Sequence, residues 1–178
     1  MKRPCRYRRG GFTLVEMLTT VAMLIIVLGL MVSLARYVRR RSAEDLTRRL
    51  LVNLHTAMLE YTRDHGVPAI ESFIEGKNPD EAMLHGTAVE NNRQFVQFFR
   101  AHKALSDKAF RDLPLAIYDE ATVRDAWGTP IVFMPTMHRQ IGMAAGQSWF
   151  FFSAGPDRQY LTREDNQYSY EALGAAGG

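Results

Sequence analysis

RRGGFTLVEML, residues 8–18, decides how the rest of the chain is read. It joins a basic leader to a long apolar run and sets a carboxylate, Glu16, inside that run. Residues 12–35 form a stretch of 24 residues with a single charge, Glu16. As a helix, at about 1.5 Å per residue, the stretch reaches roughly 36 Å, enough to cross a hydrocarbon core of about 30 Å. An ionised carboxylate is expensive in such a core, so Glu16 needs a partner or a purpose there.

Toward the N-terminus, residues 1–11 hold Lys2, Arg3, Arg6, Arg8 and Arg9 and no acid. The 178-residue chain has a net charge of +3, but without the leader it has 17 basic and 19 acidic residues. The basic balance belongs to the leader, and no nucleic-acid surface is expected. Five positive charges ahead of an apolar run favour a cytoplasmic N-terminus, opposed by Arg36, Arg39, Arg40 and Arg41 on the far flank. Cys5 is the only cysteine, so cysteine usage does not report the redox compartment. A secretory signal has an apolar core of about 7 to 15 residues with small residues after it. Here the run is longer, and the small pair Gly10 and Gly11 precedes it. A cut at Gly11 removes the basic leader and keeps the helix.

That order, with GFTLVE at residues 11–16, resembles the type IV prepilin signal of pilins and secretion-system pseudopilins. The resemblance implies peptidase cleavage after Gly11, methylation of the new amine on Phe12, and Glu16 as the fifth residue of the mature chain. Such a cut leaves an ammonium on Phe12, one helical turn from Glu16. Across subunits, the glutamate of one helix reaches the N-terminus of the next. A misaligned neighbour leaves a charge unpaired in lipid, so Glu16 reads as a register device for stacking helices. The plainer alternatives are a glutamate snorkelling to the headgroups and an ordinary signal anchor.

Past the span, Leu46, Leu50, Leu54, Met58 and Tyr61 recur at helical spacing, with Arg48, Arg49, Asn53 and Glu60 off that face. One helix is expected over residues 12–64, stopping at Gly66 with Pro68 beyond. YTRDHGVP, residues 61–68, resembles the helix exit of the type II secretion major pseudopilin. Many members of that family carry proline where Ser33 stands, so no kink is expected here. Residues 69–123 read as a turn at 77–80, a short helix from Asp80 through Leu84, and helical faces carrying Phe95, Phe98, Phe99 and His102, then Phe110 and Leu113. The aromatic face reads as core, with an exposed partner patch as the alternative. This segment is longer than a minimal major pseudopilin needs.

From residue 125 the signals turn to strands: a turn at 125–130, a strand at 131–134, a loop at 137–146, a strand at 149–152 and a turn at 153–157. DAWGTPIVF and FFFSAGPD resemble the C-terminal sheet of the major pseudopilin. The resemblance implies a calcium site in SAGPDRQYLTREDNQ, residues 153–167, held by Asp157, Asp165 and carbonyls of residues 152–155. Calcium takes about six to eight oxygens. The loop departs from the family in carrying Arg158 and Arg163. Elsewhere His55, His65, His85, His102 and His138 show no metal spacing, no glycine-rich phosphate loop exists, and no base is expected near Ser153. No enzyme is expected.

The expected architecture is an α+β type IV pilin fold: a leader (1–11), a transmembrane and assembly segment (12–35), and a periplasmic head (36–178) with the helix packed against a small antiparallel sheet. The implied role is a pseudopilus subunit of a type II secretion system. Its implied partners are its own copies, minor pseudopilins, the prepilin peptidase and an assembly platform in the bacterial inner membrane. The alternatives are a type IV pilin and a membrane-anchored binding protein that never polymerises.

Overall fold

The computed structural model describes residues 13–74, 80–111, 113–142 and 148–176. The leader with Gly11, and Phe12 after it, lie outside the described residues, as do residues 77–79 of the expected turn and part of the 137–146 loop. The elements in order are α1 (Leu14–His65), α2 (Glu81–Ala101), α3 (Lys103–Phe110), β1 (Val132–Met134), β2 (Phe150–Ser153), β3 (Gln167–Tyr168) and α4 (Ser169–Ala176). The chain divides into two compact units, Met1–Arg41 and Ser42–Gly178.

In the first unit, α1 begins behind Thr13. The Thr13 carbonyl accepts the Met17 N–H at 3.1 Å and its hydroxyl accepts the Glu16 N–H at 3.2 Å. These bonds satisfy donors that a helix N-terminus otherwise leaves open. One turn on, Thr19 and Thr20 return their hydroxyls to the Glu16 carbonyl at 3.0 and 2.7 Å, so neither needs water. The helix passes Ser33 without interruption. Residues 13–41 are exposed throughout. Among the described residues, α1 is the one helix long and apolar enough to cross a membrane, by length and composition.

In the second unit the same helix is covered on one face. Thr47, Leu50, Leu51, Leu54, His55, Ala57 and Met58 are buried, while Arg48, Arg49, Asn53 and Glu60 are exposed. The helix stops where Gly66 adopts φ +77° and its N–H closes on the Thr62 carbonyl at 3.0 Å. That left-handed stop is why glycine stands there. The short helix expected from Asp80 is instead the start of α2, which runs 21 residues to Ala101. Asp80 occupies the cap position without a side-chain cap bond. Gly86 inside α2 weakens it by about 1 kcal/mol relative to alanine. Burial of Leu84, Ala88, Phe95, Val96 and Phe99 along one face outweighs that loss. Phe95 and Phe99 are core and Phe98 is partly buried against them, so the exposed-patch alternative does not describe them.

The sheet is antiparallel in the order β1-β2-β3. Val132 pairs with Phe152, Phe133 with Phe151 and Met134 with Phe150, each strand lying one residue past its expected start. Phe133 and Phe151 face a core built with Leu54, Met58, Phe95 and Phe99. Val132, Met134, Phe150, Phe152 and Tyr168 face a second core with Phe73, Ile141 and Tyr160. Both faces are covered, which accounts for an unbroken Phe150-Phe151-Phe152 run rather than alternation. The free edge of β1 is closed by α2: Asn91 accepts the Phe133 N–H at 2.8 Å and donates to its carbonyl at 2.9 Å. Asn92 donates to the Val123 and Ile131 carbonyls at 2.7 and 2.6 Å and accepts the Val123 N–H at 2.9 Å. Asn91 therefore does at Phe133 the hydrogen bonding that a neighbouring strand would do, and Asn92 ties Val123 to Ile131 just before β1. β3 and α4 were not expected from the sequence.

Candidate assembly segment and acidic loop

The first candidate is the bare apolar part of α1. Its carboxylate, Glu16, lies in the first turn. There the unsatisfied N–H groups of the helix leave partial positive charge that favours an acid. Thr13 three residues before Glu16 also has the spacing of a capping box, in which the glutamate side chain reaches back to the helix start. The sequence reading assigned Glu16 to neighbouring subunits and did not use the local T-x-x-E signal, of which the Thr13 hydroxyl bond to the Glu16 N–H is observed. Gly11 and Phe12, the other residues of this candidate site, lie outside the described residues.

The second candidate is the loop that follows β2. Gly155 turns the chain at φ +71°, and a Cβ built there would lie 2.0 Å from the Asp165 carbonyl oxygen. Only glycine lets the two ends of the loop meet so closely. Asp157 Oδ1 accepts the Gln159 N–H at 3.0 Å, and the Gly155 carbonyl accepts the Arg158 N–H at 3.2 Å. From α2, the Glu81 carboxylate accepts the N–H groups of Tyr160 and Leu161 at 2.6 and 3.1 Å. Asn166 Nδ2 donates to the Tyr160 carbonyl at 2.9 Å, while its buried Oδ1 accepts no hydrogen bond from the described residues. Asp165 brings its main chain to the pinch. The oxygens of Asp157, Asp165 and Asn166 are the hard donors that suit calcium. Arg158 and Arg163 place positive charge in the same loop. No group of three or more His, Cys, Asp or Glu among the described residues could hold a metal ion.

Behind this loop Asp125 is fully buried. Its carboxylate accepts the N–H groups of Trp127 and Thr129 at 3.0 and 2.8 Å and the Ser153 hydroxyl at 2.6 Å. Ser153 in turn accepts the Gly155 N–H at 3.0 Å. Burial pushes the Asp125 carboxyl above its ordinary range, against the pull of Ser153, Thr129, Trp127 and the Arg158 charge. No base was expected near Ser153, yet the fold brings Asp125 to it. Both side chains are at 0% exposure. The pair therefore locks the turn after β2 to the turn before β1 and offers no reactive oxygen to a substrate. Burial likewise pushes the Tyr160 hydroxyl up, with Asp125 and Glu81 adding to the effect.

A separate lock holds the C-terminal helix. Ser169 Oγ accepts the Phe151 N–H at 3.1 Å and hydrogen-bonds His55 Nδ1 at 2.8 Å. His55 packs against Trp149 with ring centroids 4.6 Å apart. Ser169 therefore ties α1, β2 and α4 together inside the head. No protein-family model, curated protein or solved structure matches the chain.

Proposed function

We propose that this chain is a structural, non-enzymatic subunit of a pseudopilus filament, most like the major pseudopilin of a type II secretion system, with a type IV pilin fold. The observation that carries the reading is the segment of α1 whose apolar side chains are exposed on every side and whose first turn carries the lone charge Glu16. The GFTLVE signal at residues 11–16 supports it. So does a head in which helix and antiparallel sheet share one core.

In this reading the prepilin peptidase cuts after Gly11 and Phe12 is methylated. The helix waits in the bacterial inner membrane with the N-terminus cytoplasmic and the head periplasmic. The assembly platform extracts it, and it stacks with copies of itself beneath minor pseudopilins. Glu16 faces the Phe12 ammonium of the neighbouring copy, so a correctly stacked helix buries a pair and a misplaced one buries a lone charge. Calcium held by Asp157 and Asp165, joined by Asn166, belongs to the same reading and would brace the loop after β2.

Two variants separate the register role from the cap. Glutamine serves a capping box as glutamate does, but it offers no counter-charge. Glu16→Gln is therefore expected to leave membrane insertion intact and to reduce cross-linked filament assembly as strongly as Glu16→Val. Assembly of the glutamine variant at the wild-type level would reduce Glu16 to a helix cap.

A further inference from the structure

Four arginines, Arg36, Arg39, Arg40 and Arg41, close the apolar run. They oppose the topology that the leader favours. On α1, at about 100° per residue, Arg36, Arg39 and Arg40 fall within an arc of roughly 100° and share one face. All three are exposed. Arg41 lies off that face and donates Nη1 to the Tyr37 hydroxyl at 3.0 Å. Tyr37 is the kind of residue that settles at the membrane–water boundary. Arg36 stands 20 positions after Glu16. That separation is roughly 30 Å along a helix, the thickness of a hydrocarbon core. With the Arg36 backbone at one edge of the hydrocarbon core and its long side chain extending to the phosphates, Glu16 lies at the opposite edge.

We infer that Arg36, Arg39 and Arg40 form a clamp for the phosphates of anionic phospholipid headgroups, which fixes the depth of the helix in the bilayer. A guanidinium matches a phosphate with two parallel hydrogen bonds, and a juxtamembrane basic cluster gains further from an anionic leaflet. The occupant is a lipid because the cluster directly follows a bilayer-length apolar run. The depth it sets keeps Glu16 out of mid-bilayer. The inference rests on residues 14–35 crossing a membrane and not on the filament.

The test uses the full chain in phosphatidylcholine vesicles, with spin-labelled phosphatidylglycerol or phosphatidylcholine as the probe lipid. The chain is expected to prefer the phosphatidylglycerol probe about fivefold or more. The triple variant R36Q/R39Q/R40Q should lose most of that preference. A variant with the five basic leader residues changed to glutamine should keep a clear share of it. The clamp is overturned if the triple variant keeps the full preference. It is equally overturned if millimolar inorganic phosphate erases the preference, which would assign the arginines to free phosphate, or if the triple variant loses self-association instead. Alkaline carbonate extraction of each sample keeps the two readings apart. A chain that is extracted contradicts the membrane span itself. A chain that resists extraction but shows no lipid preference contradicts only the clamp.

Discussion

Residues 14–41 and residues 42–65 belong to the same helix, yet their apolar side chains meet opposite fates. In the first segment Leu24, Ile25 and Ile26 follow one another around the helix and all are exposed. In the second, Leu50, Leu54 and Met58 form a stripe, and Phe95, Phe133 and Phe151 share its core. A stripe is what a helix needs when its own chain covers it from one side, and an all-round apolar surface calls for an apolar medium outside the chain. The difference shows that apolar content alone does not give the role of a segment. The angular spread of that content around the helix does.

The sharpest way to break this comparison is the same truncation in both settings. Leu54→Ala should destabilise the head by about 2 to 5 kcal/mol, because it opens a cavity in a closed core. Leu24→Ala should leave the melting of the head unchanged in the detergent-solubilised chain. Equal losses from both would mean that residues 14–41 are packed within the protein. Asn92→Ala comes next. It strands the Val123 N–H and the Ile131 carbonyl beside β1, while the Val123 carbonyl keeps the Ile131 N–H at 3.1 Å, and a loss of about 3 kcal/mol is expected in urea melts. A loss under about 1 kcal/mol would show that water replaces the side chain there.

Calcium sharpens the account of the loop after β2. A ligand that binds only the folded head stabilises it by RT ln(1 + [L]/Kd), about 2.7 kcal/mol at a hundredfold excess over Kd. Melting several degrees higher in millimolar calcium than in chelator is expected, with no such shift for Asp157→Ala. Identical wild-type curves would show that the Gly155–Asp165 pinch needs no metal.

The smallest effect concerns Asp125. Burial raises its folded value, so the folded head holds that proton more tightly than the unfolded chain does. Its contribution is therefore full below the unfolded value, about 3.9, and is lost as pH rises through the raised folded value. Asp119 has the opposite sign. The Thr122 N–H, the largest cause, holds its carboxyl low, so its contribution is present above about 3.9 and is lost as pH falls through the lowered value. Asp125→Asn keeps an oxygen for Trp127 and Thr129 and should change stability by less than about 1 kcal/mol at neutral pH. It should also remove the fall in stability that accompanies deprotonation of Asp125, read as urea midpoints across pH. An unchanged pH profile would show that Asp125 does not titrate in the folded head between those values.

Several features of the head were legible because a short local stretch carries each signal. Gly66 marks the helix stop, the 125–130 turn precedes β1, and the phenylalanine run marks β2. Other features depend on partners distant in sequence. Asn91 and Asn92 look like solvent-facing residues of a helix until β1 is set beside them. Asp80 suggested only a short helix through Leu84, and burial of Leu84 and Ala88 on either side of Gly86 accompanies α2 on to Ala101. β3 pairs just two residues with β2. α4 leans on Ser169, whose partners His55 and Phe151 lie far away in the chain. In the candidate site, the local Thr13–Glu16 cap was readable and was overlooked in favour of the intersubunit role.

The most direct test of the filament reading is N-terminal sequencing of the membrane-extracted chain, produced with and without prepilin peptidase. With the peptidase, the sequence should begin at Phe12 and carry a methylated amine, and Gly11→Leu should block the change. Without it, Met1 or Lys2 should remain at the start. Assembled protein that still begins at the leader in the presence of the peptidase would contradict the account.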